Sequence, residues 1–494
     1  MNTRYVCIHG HFYQPPRENP WTGKVERQPS AAPFHDWNER ITQECYGPNS
    51  SAQIYDAQDR VRRANNYSRI SFNFGPTLLS WMQNQSPTVY RRILDGDRES
   101  EKKFGHGSAM AQAYNHMILP LAQERDKRTQ VRWGLKDFQF RFGRAAKGLW
   151  LPECAVDLDT LRVLAEEDVA FTVLSPGQCR RVRPDGGQWT SDGVDTRRAY
   201  RVDVGGGKSV AVFFYDGPLS QGVAFEGALN DGDQFAQRLL SAWAEDGLEA
   251  PLTHIATDGE SYGHHHRFGE MALAHALERL ERAEGVRLTN YASYLAQHPP
   301  VWEAEIFGPS AWSCAHGVER WRSHCGCSDG GAGARQDWRA PLRSSLDALK
   351  LRIDEVFEAE GAAILSSPWD ARNDYIQVLL DSSQDSAERF LNDRMNGSSD
   401  SLRRERARLL LEMQRYAMLM FTSCGWFFDD IGRIEARQIL CYAARAIQLG
   451  RECVGADWEP EFVKGLSEAE SNDPEQGNGA RIYRCAVESA QAAT

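Results

Sequence analysis

At 494 residues the chain is too long for one ordinary domain, and 41% hydrophobic with 25% charged residues marks a globular protein with ample core. The 57 basic and 68 acidic residues leave a net charge of −11, which argues against a general binder of phosphate backbones, so no nucleic-acid partner is expected. The 11 cysteines show no framework spacing, no apolar leader follows Met1, and no apolar run reaches membrane-spanning length; reduced thiols, a cytoplasmic location and no membrane partner are expected.

The first 300 residues alternate β-rich runs with helical stretches. Strands are predicted at 5–9, 69–74, 148–151, 170–174, 209–215 and 252–257, each closed by Gly, Pro, His or an acid. Helical patterns at 157–167 and 269–282 follow two of them. Strand, loop, helix, strand in repetition predicts an α/β fold with a parallel sheet under helices, and this many strands favours a barrel. No GxGxxG or GxxxxGK[ST] follows a strand, so a nucleotide site has no support. The glycines before Lys208 read as a hairpin turn rather than a phosphate loop, because no helix start follows them. After about residue 305, Leu402, Leu409, Leu410, Met413, Ala417 and Met420 recur at helical spacing. A second periodic run covers 434–449, with Gly450 placed where a helix would end. Small polar breaks fall at 328–334 and 396–401, and the acidic tail 467–479 reads as loose. The expected domains are a catalytic unit over 1–300 and an α-helical unit over 301–494 that packs on it and closes one wall of a cleft.

Polar residues crowd four strand ends, where side chains of a parallel sheet converge. His9 and His11 sit two apart on one strand and point the same way, with Gln14 and Arg17 as further donors; they suit sugar hydroxyls or a metal, or else form a structural pair. Glu153 follows Pro152 at the end of an apolar strand, which orients it rigidly; the plainer reading is a glutamate starting a surface helix. Asp258 ends the strand 252–257, and Gly259 permits a sharp turn before Glu260; here the plainer reading is an Asx turn beside an exposed run of histidines. Asn73 ends the second strand and lines a pocket or an ordinary loop. Two carboxylates on facing strand ends are what glycosidic cleavage needs: one protonates the leaving oxygen, and the other attacks or stabilises the anomeric carbon.

Together these stretches resemble glycoside hydrolase family 57, in the subgroup followed by a helical domain of unknown function. His11-Phe12-Tyr13-Gln14-Pro15 matches the family's His-Gln-Pro region with an insertion. Asn73-Phe74-Gly75-Pro76, Trp150-Leu151-Pro152-Glu153 and Asp258-Gly259-Glu260 are similar to the next three regions. The resemblance covers about residues 4–490. It implies an incomplete (β/α)7 barrel with a helical bundle, acting on α-glucans with retention and needing no metal or other cofactor. By that carry-over Glu153 is the nucleophile and Asp258 the acid/base, its pKa raised by burial and by anionic Glu153. His9 and His11 would hold sugar hydroxyls, and Glu260 would support Asp258 from behind. Members of that subgroup run longer at the C-terminus, which bears on substrate range more than on the catalytic pair.

The segment from Trp312 to Cys327 has three readings. It is a loop laying Trp312 and Trp321 on sugar rings, a zinc site of Cys314, His316, Cys325 and Cys327, or plain core packing. The Cys-x-Cys spacing is shorter than that of usual zinc pairs. The dense clusters 369–372 and 425–430 read as helix packing or as a wall of the cleft. Other readings of the whole chain are an α-glucan transferase, a metal-dependent deacetylase or amidohydrolase using His9, His11, Asp258 and His264 or His265, and a non-catalytic glucan-binding protein.

Overall fold

The computed structural model describes residues 3–55, 58, 60–243, 247–330, 333–397 and 400–493; residues 331, 332, 398 and 399 of the two predicted breaks lie outside the described residues. The chain divides into two compact units. The first is built from 1–14, 27–112 and 141–308, the second from 15–26, 113–140 and 309–494.

The first unit holds thirteen strands among the described residues: β1 Arg4–Phe12, β2 Ala52–Tyr55, β3 Val61–Ala64, β4 Ser71–Phe74, β5 Ala109–Gln112, β6 Leu149–Trp150, β7 Phe171–Leu174, β8 Cys179–Pro184, β9 Ala199–Gly205, β10 Lys208–Phe214, β11 Leu252–Asp258, β12 Val286–Leu288 and β13 Trp302–Ile306. Strands β11, β1, β4, β5 and β6 pair in that order, all parallel. A parallel bridge from Gly148 to Phe171 passes the sheet on to β7, which pairs parallel with β10. From the end of β10, the Asp216 amide donates to the His254 carbonyl of β11 at 2.9 Å. Seven parallel strands thus curl into an incomplete barrel with helices in the crossovers. The predicted hairpin turn is there, joining β9 to β10 in antiparallel register. Strands β8 and β13 carry that edge further. Because β1 is central, eight of its nine residues are buried.

The second unit is helical. Its long helices are Glu124–Phe142, which ends in the first unit, Arg339–Ile364, Ser401–Leu419 and Ile434–Val454, with the shorter Glu459–Leu466 and Gly479–Ala492 beside them. The short segment 15–26 belongs here: the Trp21 indole donates to Gln448 at 2.6 Å and the Asn19 amide to the Ala490 carbonyl at 2.8 Å. Arg17, read from sequence as a donor beside the histidines, is instead buried in this unit, 3.9 Å from Glu435. A charged cluster lies at its core. Arg372 meets Asp126 at 2.6 Å, and Lys350 meets Asp354 at 2.6 Å and Asp126 at 3.0 Å. Gln414 closes the cluster, donating to Asp354 at 2.8 Å and accepting from Arg372 at 3.0 Å. This is what the dense run around Trp369 and Arg372 does. In the other run, Trp426 is buried, and the Asp429 carboxylate accepts from the Gln336 amide at 2.9 Å.

Two sequence expectations need correction. Gly450 does not end its helix, which continues to Val454 and stops at Gly455 in the left-handed conformation. Gly450 is small for packing: a Cβ there would come within 2.2 Å of the Trp458 ring. Nor is 467–479 loose. Ser471 donates to Asp430 at 3.0 Å, Asn472 binds the Asp429 carbonyl at 2.8 Å, and Glu470 bridges to Asn478.

Candidate active site

Register sets the site. Across the parallel sheet His11 pairs with Asp258 on one side and with Asn73 on the other, so the three emerge on one face at one level. His9 lies one pleat deeper, opposite Ser71. Asn73 is the hub. Its Oδ1 lies 3.0 Å from His9 Nε2, and its Nδ2 donates to His11 Nδ1 at 2.9 Å and to Gln112 Oε1 at 2.7 Å. Ser71 Oγ sits 3.0 Å from His9 Nδ1, so both ring nitrogens of His9 are engaged within the sheet. The amide N–H can only donate, which makes His11 Nδ1 an acceptor and places the His11 proton on Nε2. Burial holds both imidazoles down at about 3, so both are neutral. Trp150 of β6 stacks on both rings, at 4.8 Å from His9 and 5.0 Å from His11.

Glu153 stands just past β6, where Pro152 ends the strand. A single tight turn, Pro152–Cys154, carries it. Glu153 has φ 58° and Cys154 φ 48°, two consecutive non-glycine residues in the left-handed region. Each costs on the order of 1–3 kcal/mol and persists only where its surroundings impose it. The turn is held by Cys154 N–H to the Leu151 carbonyl at 2.8 Å and by Gln178 Nε2 to the Cys154 carbonyl at 2.8 Å.

Asp258 is the one exposed residue of β11. It is also deep: burial pushes its carboxyl up to about 7, and the charge of Glu153 adds to the rise. A group that is both open to water and surrounded by protein lies on the floor of a recess. The turn after it, Gly259–Ser261, brings the chain over Phe12, whose ring would lie 2.2 Å from a Cβ at position 259. Glu260 then turns inward. It accepts from the Tyr13 amide at 3.1 Å and from the Tyr46 hydroxyl. Burial pushes Glu260 up to about 8, with Asp258 adding to the rise and the Tyr46 and Tyr13 bonds opposing it.

The structure therefore gathers His9, His11, Asn73, Asp258 and Glu260 at one end of the sheet, with Glu153 in electrostatic reach of Asp258. Gln14 is half-buried beside them, its amide donating to the Tyr13 carbonyl at 3.1 Å. Trp312 and Trp321 belong to the second unit; Trp312 is half-buried, and Trp321 is fully buried with no ring face toward solvent. Ser71, Gln112, Tyr46 and the stacking role of Trp150 escaped the sequence. Ser71 had a signal, two residues before Asn73 on a strand. Gln112 had none, because its strand was not recognised.

Residues 9–306 match the description "Glycosyl hydrolase family 57", and residues 335–494 match a domain of unknown function, DUF3536. Alpha-amylase 1 of Dictyoglomus thermophilum is 24% identical over 105 residues, 21% of this chain, and the match spans only 15% of that relative's length. Among solved structures, the exo-type maltose-forming amylase of Pyrococcus sp. ST04 has a TM-score of 0.70 at 14% identity, covering 99% of this chain and 88% of that one. The branching enzyme of Pyrococcus horikoshii has a TM-score of 0.57 at 14% identity, covering 99% and 95%. At these identities the likeness is one of fold.

Proposed function

Since the chain belongs to glycosyl hydrolase family 57, we propose that it acts on α-linked glucans by double displacement, with Glu153 as nucleophile and Asp258 as acid and base. The observation that carries this reading is the Asp258 carboxyl, open to the recess and pushed to about 7 by burial and by Glu153. A carboxyl of that pKa is protonated in an appreciable fraction of molecules near neutral pH, as a general acid must be, and becomes a competent base once its proton has gone. Glu153 attacks the anomeric carbon as the proton from Asp258 reaches the leaving oxygen. Asp258 then takes a proton from the acceptor, whose oxygen displaces Glu153.

The surrounding residues have matching roles. Neutral His11, its tautomer fixed by Asn73, is proposed to bind a sugar hydroxyl. Trp150 holds both histidine rings in plane. Glu260 keeps the chain after Asp258 tied to Tyr13 and Tyr46. Gln14 is proposed as a further sugar contact.

Azide rescue tests the two roles separately. With an activated α-glucoside, Glu153→Ala plus azide should release the β-azide, because one displacement remains. Asp258→Ala plus azide should release the α-azide, because two remain. The same azide anomer from both variants, or unreduced turnover in either, overturns the assignment. The acceptor is decided by the products from amylose: short sugars mean water, and new α-1,6 branches or longer chains mean a sugar hydroxyl.

A further inference from the structure

The second unit contains a cluster that the glycosidic chemistry does not use. In the stretch 309–330, a single short turn, Glu319–Trp321, is the one helical element. Four side chains converge there: the ligand atoms of Cys314, His316, Cys325 and Cys327 all lie within 4.8 Å of one another. Cys314 Sγ is 4.0 Å from Cys325 Sγ and 3.9 Å from Cys327 Sγ, and Cys327 Sγ is 3.6 Å from His316 Nδ1.

The separations of 4.0, 3.9 and 3.6 Å match edges of a coordination tetrahedron. Zinc binds thiolate at ~2.3 Å and imidazole at ~2.0–2.1 Å, which puts neighbouring sulfurs ~3.8 Å apart and sulfur and nitrogen ~3.6 Å apart. A disulfide would instead draw two sulfurs to ~2.05 Å and leave the third aside. Here Cys314 is equally distant from two thiols, which fits a shared centre and not a pair.

The backbone is arranged to hold that centre. Cys325 and Cys327 flank Gly326, whose φ of 83° folds the turn so that both thiols face one point. The Cys327 carbonyl accepts from buried Gln336 at 2.8 Å and from fully buried Arg339 at 3.2 Å. On the other side Arg320 donates to the Ser313 carbonyl, next to Cys314, at 3.0 Å. Asp429 clamps the exit, accepting from the Ser328 hydroxyl and from the Asp329 amide at 3.2 Å. Three thiolates around a dication leave one negative charge, and two arginines stand at the ligand backbone to balance it.

We propose that Cys314, His316, Cys325 and Cys327 form a structural zinc site. Three soft thiolates and one imidazole in tetrahedral array select zinc over hard cations, and four protein ligands leave no open position for catalysis. Binding releases to solvent the protons held by the three thiols. The ion pins a stretch of little regular structure, fixing the backbone that carries Trp312 and the buried Trp321. This site stands independently of the glycosidase reading.

The test is metal analysis of the full-length chain, purified without chelator from zinc-replete cells. About one zinc per chain is expected. The Cys485→Ser variant, altered at an exposed cysteine elsewhere, should keep it. The double variant C325S/C327S should lose it. Should that variant fail to fold, cobalt exchanged into the wild-type chain gives the answer without any mutation: intense visible bands of tetrahedral cobalt, with thiolate-to-cobalt charge transfer, are expected. Wild-type protein with neither zinc nor cobalt bands overturns the proposal. So does zinc retained in folded C325S/C327S, or a disulfide joining any two of the three cysteines in the native chain.

Discussion

Two aspartates, one in each unit, are set deep in the protein and respond in opposite directions. Burial drives Asp258 up to about 7, and the charge of Glu153 pushes the same way. For Asp126 burial also works upward, but Lys350 at 3.0 Å and Arg372 at 2.6 Å overcome it and hold the carboxyl down at about 2. The ordinary value is ~3.9. Burial is common to both, and the sign is set by the company each keeps. A carboxyl facing another carboxyl stores free energy for proton transfer, and one facing cations spends it on holding helices together.

The largest test of this contrast is Asp258→Asn. Turnover should fall about 10²–10⁴-fold, yet the fold should become more stable at alkaline pH. The folded pKa lies above the unfolded one, so the ionised carboxylate penalises the fold increasingly as pH rises from ~4 through about 7. The Tm of the variant should therefore exceed that of wild type at pH 8, with the gap closing at pH 4; a lower Tm at pH 8 breaks the comparison. Asp126→Asn should do the reverse, costing about 3–5 kcal/mol in urea unfolding because buried Lys350 and Arg372 lose their anion. That contribution is present above ~4 and disappears as pH falls through about 2.

A finer test is titration. The Asp258 carboxyl carbon, followed by NMR, should titrate near pH 7, and kcat/KM should decline as pH rises through that point. Glu153→Gln should move the midpoint down, because one of the two causes of the rise is gone. The smallest effect expected is that of Tyr46→Phe. It removes a hydrogen bond that opposes the rise of Glu260, so that carboxyl should titrate above its present value of about 8, with a stability loss of about 1 kcal/mol.

Much of this was legible from local pattern. β-branched and aromatic runs closed by Gly, Pro or an acid marked most of the parallel strands, and chain order carried Asn73, Glu153 and Asp258 to their ends. Strand β5 was not legible, because Ala-Met-Ala-Gln has no β-branched residue and no alternation; its neighbours β4 and β6 impose the conformation. Gln112 was lost with it. Gly450 misled because a glycine that ends a helix and one that admits a tryptophan look alike in sequence. The left-handed backbone at Glu153 is written nowhere in residue type. Nor is the assignment of 15–26 and 113–140 to the helical unit, which only three-dimensional contacts reveal.

That assignment constrains how the protein is made. Asp126 leaves the ribosome long before Arg372, its partner 246 positions further along the chain. While the barrel strands assemble, the stretch 113–140 is already synthesised but cannot yet close the helical core to which it belongs. The nascent chain thus carries an unfinished apolar surface through much of its synthesis. Cutting the chain after residue 308 would not free two domains; it would leave each half holding pieces of a core that neither can complete.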